Sequence, residues 1–118
     1  MIFQNLLERL KKGEADFEDA IAYVNDHYEY TPTRFSNGLD TNTVINEAGK
    51  NEGSCRLFAL AKIKELSEAD TVQLFGRFYR DDVLKHPQGT DHSNIRNFLR
   101  DGWAGIQFDG VALTPKED

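Results

Sequence analysis

The sequence predicts an α+β fold, mostly helical: about five helices and a small antiparallel sheet including a C-terminal hairpin, in one domain over residues 1–118. Three observations predict it. Apolar residues recur at steps of three and four through most of the chain, which places them on one face of a helix. Gly13, Gly89 and Gly102 punctuate those runs. Near the end, two short alternating runs, Ile106-Gln-Phe108 and Val111-Ala-Leu113, flank Asp109-Gly110, a pair suited to a tight hairpin turn.

Taken in order, Ile2, Phe3, Leu6, Leu7 and Leu10 predict a first helix that stops at Gly13. Asp16 caps a second, striped by Phe17, Ile21, Val24 and Tyr28, and the two make a helical hairpin. Tyr30 to Phe35 is extended, because Pro32 cannot donate to a ladder and biases Thr31 away from helical backbone. Asn37-Gly38 marks a turn, with a second extended piece around Thr43-Val44-Ile45. Residues 46–54 read as a polar loop, and a third helix starts at about Ser54 or Cys55. Leu57, Phe58, Ala59, Leu60, Ala61, Ile63 and Leu66 make that helix apolar nearly all round, so it belongs at the centre of the core. Ser67-Glu-Ala-Asp70 predicts a capping box for a fourth helix carrying Val72, Phe75, Tyr79 and Val83, which His86-Pro87-Gln88-Gly89 ends. Thr90 or Asp91 caps a fifth with Ile95, Phe98 and Leu99, closed by Gly102, and Trp103 docks just beyond.

Composition narrows the function classes. Twenty acidic against fourteen basic side chains give a formal charge of −6, a field that repels a phosphate backbone and an anionic bilayer alike. Neither nucleic acid nor membrane is expected as a partner. The single cysteine, Cys55, has no partner for an internal disulfide, which points to a reducing cytoplasm. The first residues show no basic segment followed by a long apolar run, so no Sec signal peptide is expected, and no stretch approaches a membrane span.

Five irregular stretches carry a family resemblance. They are Tyr30-Thr-Pro-Thr-Arg-Phe-Ser-Asn-Gly38, Asn46-Glu-Ala-Gly-Lys-Asn-Glu-Gly-Ser-Cys55, Leu74-Phe-Gly-Arg-Phe-Tyr-Arg-Asp81, Gly89-Thr-Asp-His-Ser-Asn-Ile-Arg-Asn-Phe98 and Gly102-Trp-Ala-Gly-Ile-Gln-Phe-Asp-Gly110. In order and spacing the chain resembles the HopJ type III effector family over nearly its whole length. The resemblance implies a bacterial protein and, where the family name describes the role, injection into a host cell and host-protein partners. It implies no reaction and no catalytic residues. Type III export signals are Ser-rich, acid-poor and disordered, whereas here residues 1–12 read as an amphipathic helix containing Glu8. The protein is therefore expected to work in the cytoplasm of the cell that makes it.

Two constellations invite chemistry. Gly53-Ser54-Cys55 opens the third helix, where the positive end of the helix dipole favours a thiolate, and His92 downstream would supply the base of a nucleophile pair. The structural alternative is a small buried hydrophobe beginning an apolar helix. Asp91-His92 with Asn94 and Arg96 forms the second: an acid orienting an imidazole, or a helix cap whose His lies in a solvated first turn. Glu47, His86, Asp91 and His92 are ligand types without any metal-site spacing, so neither metal nor cofactor is expected. Gly49-Lys50-Asn51 lacks the hydroxyl and the upstream glycine of a phosphate loop. Glu18-Asp19 and Asp81-Asp82 read as solvated helix faces.

Three readings follow. In the first, Asn46, Glu47, Asn51, Ser54, Asn94 and Arg96, from two loop-to-helix junctions, face one cleft and bind a small molecule or peptide without turnover. In the second, Cys55 and His92 serve a small hydrolase or transferase. In the third, the chain is an injected effector acting on host proteins.

Overall fold

A computed structural model describes residues 2–116. Helices α1 (Phe3–Lys11) and α2 (Phe17–His27) form the expected pair, and Phe3, Leu6, Leu7 and Leu10 are buried along one face of α1. Asp16 caps α2 reciprocally: its carboxylate accepts from the Phe17 N–H, and the Asp19 carboxylate accepts from the Asp16 N–H. The chain then runs through β1 (Tyr28–Tyr30), β2 (Phe35–Asn37), a 3₁₀ turn at Asp40–Asn42 and β3 (Val44–Asn46). Tyr28 thus belongs to a strand rather than to the stripe of α2.

Helix α3 (Glu52–Ile63) begins earlier than its sequence suggests, with Asn51 as its N-cap in left-handed backbone at φ 49°. Asn is one of the few side chains that tolerate this conformation, which is why the polar loop runs directly into the helix. Cys55, Leu57, Phe58, Ala59, Leu60 and Ala61 are buried, as expected of a central helix.

The predicted fourth helix is broken in two. α4 (Glu68–Gln73) starts on Ser67, whose hydroxyl accepts from the Asp70 N–H, and ends before Gly76. Gly76 adopts φ +58°, and beyond it Phe78–Val83 forms a π-helical turn. Val72, Phe75 and Val83 of the expected stripe are buried and Tyr79 packs against them partly buried, while the single straight helix gives way to two pieces.

α5 (Ser93–Asp101) also departs at its start. Neither Thr90 nor Asp91 caps it; its N-cap is His92, with φ 51°. Asp91 is drawn away by Arg96, which lies 2.6 Å from its Oδ1. Gly102 closes α5 and leads into a 3₁₀ turn at Gly102–Gly105. Trp103 docks there, its indole N–H donating to the Leu66 carbonyl at 3.0 Å.

β4 (Ile106–Phe108) forms where expected and β5 (Leu113–Pro115) starts two residues later than the expected Val111, and each takes its partner from the N-terminal half. β4 pairs antiparallel with β2, which also pairs with β3, and β5 pairs antiparallel with β1. Among the described residues there are thus two small sheets, ordered β3-β2-β4 and β1-β5. Phe35 sits at the crossing point, fully buried, stacked on Phe108 and tilted against Phe58 of α3. No helix among the described residues is long and apolar enough to cross a membrane.

Candidate functional site

Two helix starts meet in one cleft. Its volume is about 360 Å³, and it is lined by Phe17, Phe75 and Phe78, by Asn51, Gly53 and Ser54 from the start of α3, and by His92, Ser93, Asn94 and Ile95 from the start of α5. Gly53 lets the α2 side approach: a side-chain carbon there would lie 2.8 Å from the Phe17 ring.

A buried amide cluster ties the two starts together. The Asn94 amide donates to Asn46 Oδ1 at 2.8 Å, and the Asn46 amide donates back to Asn94 Oδ1 at 3.1 Å. Asn51 donates to the same Asn46 oxygen at 2.7 Å. Asn37, at the end of β2, donates to both the backbone oxygen and Oδ1 of Asn94. Asn37, Asn46 and Asn94 are all buried. Removing one member leaves its neighbours desolvated and unpaired, which costs about 1–3 kcal/mol per group, so the cluster fixes the spacing of the two helix starts.

Neither start carries a side-chain cap. The first helical bonds run from the Cys55 N–H to the Asn51 oxygen and from the Arg96 N–H to the His92 oxygen. The N–H groups of residues 52–54 and 93–95 therefore lack helical acceptors. Most of those residues line the cleft, where both helix dipoles present their positive ends.

The residues singled out from sequence divide three ways. Asn51, Ser54, Asn94 and His92 are brought to the cleft, and Asn46 lies directly behind it as their brace. Glu47 lies outside it, paired with Arg34 at 3.4 Å. Arg96 braces the loop before α5: it donates to the backbone oxygens of Asp82, His86 and Asp91 and to Asp91 Oδ1. Cys55 belongs to the core, 1% exposed, with its thiol 3.5 Å from the Thr33 carbonyl and not on the cleft wall. Burial pushes that thiol up, outweighing the bonds with Tyr30 and Thr33 that favour the thiolate.

His92 has a different partner from the one expected. Its Nε2 lies 2.9 Å from Asp82 Oδ2 and 3.9 Å from Asp91 Oδ2, and its ring packs on Phe78 with centroids 5.1 Å apart. Asp82, read as a solvated face, is thus the partner of the imidazole. Sequence reasoning missed it, together with Phe17, Phe75, Phe78 and Ser93 as cleft residues. Asp82 reaches His92 only through the break at Gly76 and the π-helical turn, which no local pattern announces. The aromatic walls carry the spacing of core residues, which points inward and not to a cleft.

The family model described as HopJ type III effector protein matches residues 3–113. The chain belongs to the HopJ family. A crystal structure described as unknown function protein VPA0580 is similar at 44% identity, with a TM-score of 0.87, covering 98% of this chain and 95% of that one. No curated protein matches. The HopJ match spans both helix starts, the amide cluster and the Asp82–His92 pair, so the whole cleft lies within the shared domain.

Proposed function

We propose that this HopJ-family domain binds a small anionic group, a carboxylate or phosphate, in the cleft between the starts of α3 and α5, and does so without turnover. The observation that carries the reading is the convergence of two uncapped helix starts on one aromatic-floored cleft. Such N–H groups need acceptors, and an anion supplies them while meeting the positive dipole ends. Locally this offsets a net charge of −6, which at longer range disfavours large polyanions. The volume suits one small molecule or the charged end of a peptide. Cys55 gives the hydrolase reading no support, since its sulfur bonds Thr33 and the imidazole bonds Asp82. The domain acts in the cell that makes it, a reading supported by α1, whose buried apolar face is unlike an unstructured export signal.

Titration of ¹⁵N-labelled protein with inorganic phosphate and with acetate tests the binding reading. Saturable shifts are expected at the amides of Gly53, Ser54, Ser93 and Asn94. Ser93→Asp, which places a fixed carboxylate at the exposed first position of α5, abolishes them without unfolding the chain. Shifts scattered over the surface, or equal in the variant, overturn the reading.

A further inference from the structure

We infer that Asp82, Asp91 and His92 form a binding site for a divalent transition-metal ion of the zinc type, beside the cleft. This does not rest on the anion reading. One donor atom from each residue lies within 4.8 Å of the other two. With metal–donor bonds of about 2.0–2.1 Å, two ligands of a tetrahedral ion stand about 3.3 Å apart. His92 Nε2 stands 2.9 Å from Asp82 Oδ2 and 3.9 Å from Asp91 Oδ2, so shifts of a few tenths of an ångström bring these pairs to coordination distance. The ion takes the place of the direct contact between His92 Nε2 and Asp82 Oδ2.

The donors are held from outside, as ligands of a metal site are. Arg96, whose side chain is only 15% exposed, donates through Nη2 to the Asp82 carbonyl at 3.1 Å and to Asp91 Oδ1 at 2.6 Å. One guanidinium thereby joins the two carboxylate-bearing segments and occupies the far oxygen of Asp91, leaving Oδ2 facing the imidazole. Its Nε donates to the Asp91 carbonyl at 2.6 Å and its Nη1 to that of His86 at 2.8 Å, which fixes the loop between the donors. The imidazole is held by its left-handed N-cap backbone and by the Phe78 ring. Asp82 is presented by the π-helical turn, a distortion that recurs at functional sites.

The donor set names the class of ion. An imidazole with two carboxylates suits Zn²⁺ or a first-row neighbour better than Mg²⁺ or Ca²⁺, which take oxygen ligands. Three protein ligands leave a zinc ion one position for an exogenous molecule. Because His92 also lines the cleft, a molecule bound to the ion lies next to the helix starts. The sequence shows no such site because its donors are spaced by nine residues and then one, which matches none of the usual zinc-site spacings.

Calorimetric titration of the full chain with Zn²⁺ alone tests the inference. One saturable equivalent is expected. Asp82→Asn and His92→Asn weaken it by about tenfold or more, and Asn is chosen at 92 because it accepts left-handed backbone. Asp81→Asn, next along the chain but paired with Lys85, leaves binding unchanged. Should a variant fail to fold, the imidazole resonances of the wild type decide: Zn²⁺ moves those of His92 and not those of His27 or His86. Absence of saturable binding, binding undiminished in both site variants, or zinc-induced shifts confined to His27 or His86 overturns the inference. Retained phosphate shifts in Asp82→Asn would separate loss of the metal from loss of the anion cleft.

Discussion

At Cys55 two fields act on one thiol in opposite directions. The start of α3 favours the thiolate, as its place near a helix N-terminus suggested, while removal from water disfavours it. Burial wins, and the thiol is pushed up. Alkylation of native protein is therefore expected to be slow at neutral pH, with its rate still rising above the pH of about 8.5 at which a free thiol is half ionised. In urea the same thiol reacts at the ordinary rate. Rapid labelling of the native protein below neutral pH would restore the nucleophile reading. The asparagines show the reverse situation. Asn37, Asn46 and Asn94 stand in stretches rich in turn signals, and sequence reasoning placed the last two among ligand-binding groups. What holds them is burial and reciprocal bonding, and burial of a polar side chain is not written in its local neighbours.

Elements form where local chemistry and packing agree, and they break where packing overrules. The Asp16 cap of α2 was legible because a cap acts within four residues. The break at Gly76 was not. There the Arg77 N–H turns out of the helix to donate to Asp16 Oδ1 at 2.8 Å, and its guanidinium meets both Asp16 and Glu18. A side chain at residue 76 would collide with Asp16 and the Phe17 backbone, and the positive φ adds strain of its own. Gly76→Ala is therefore expected to destabilise the fold by about 1–3 kcal/mol, read as a lower urea midpoint at unchanged slope. An unchanged midpoint would mean that the straight fourth helix is as good as the broken one. The same junction brings Phe17 and Phe78 together, ring centroids 5.0 Å apart, as adjacent walls of the cleft.

Across the molecule the charged groups favour folding above the carboxylate range. Arg77 holds Glu18 below its usual value. At Asp16 burial opposes, but the N–H bonds of Arg77 and Phe17 and the guanidinium outweigh it, so this carboxyl is also lowered. Arg96 lowers Asp91, and Arg100 with the Leu39 N–H lowers Asp101. Carboxyls depressed in the folded state contribute stability that is present above their unfolded values, near pH 4, and lost as the pH falls through the folded values. Stability is thus expected to be flat from neutrality to about pH 5 and to fall below about pH 4. Arg77→Gln makes that fall shallower by returning Asp16 and Glu18 towards ordinary titration. Urea midpoints at several pH values measure it, and a fall equally steep in the variant would show that these pairs carry none of the acid sensitivity.

By itself the sequence determined the α+β class, the helical pair, the central apolar helix, the cap at Asp16 and the family, because periodicity, turn residues and irregular motifs are local in the chain. Tertiary structure alone decided which strands pair, where the fourth helix breaks, and that the starts of α3 and α5 share a cleft with Asp82 against His92. These depend on contacts between residues from ten to more than seventy positions apart. The energies that settle them, burial of amides and closure of loops, are properties of the assembled core and not of any window along the chain.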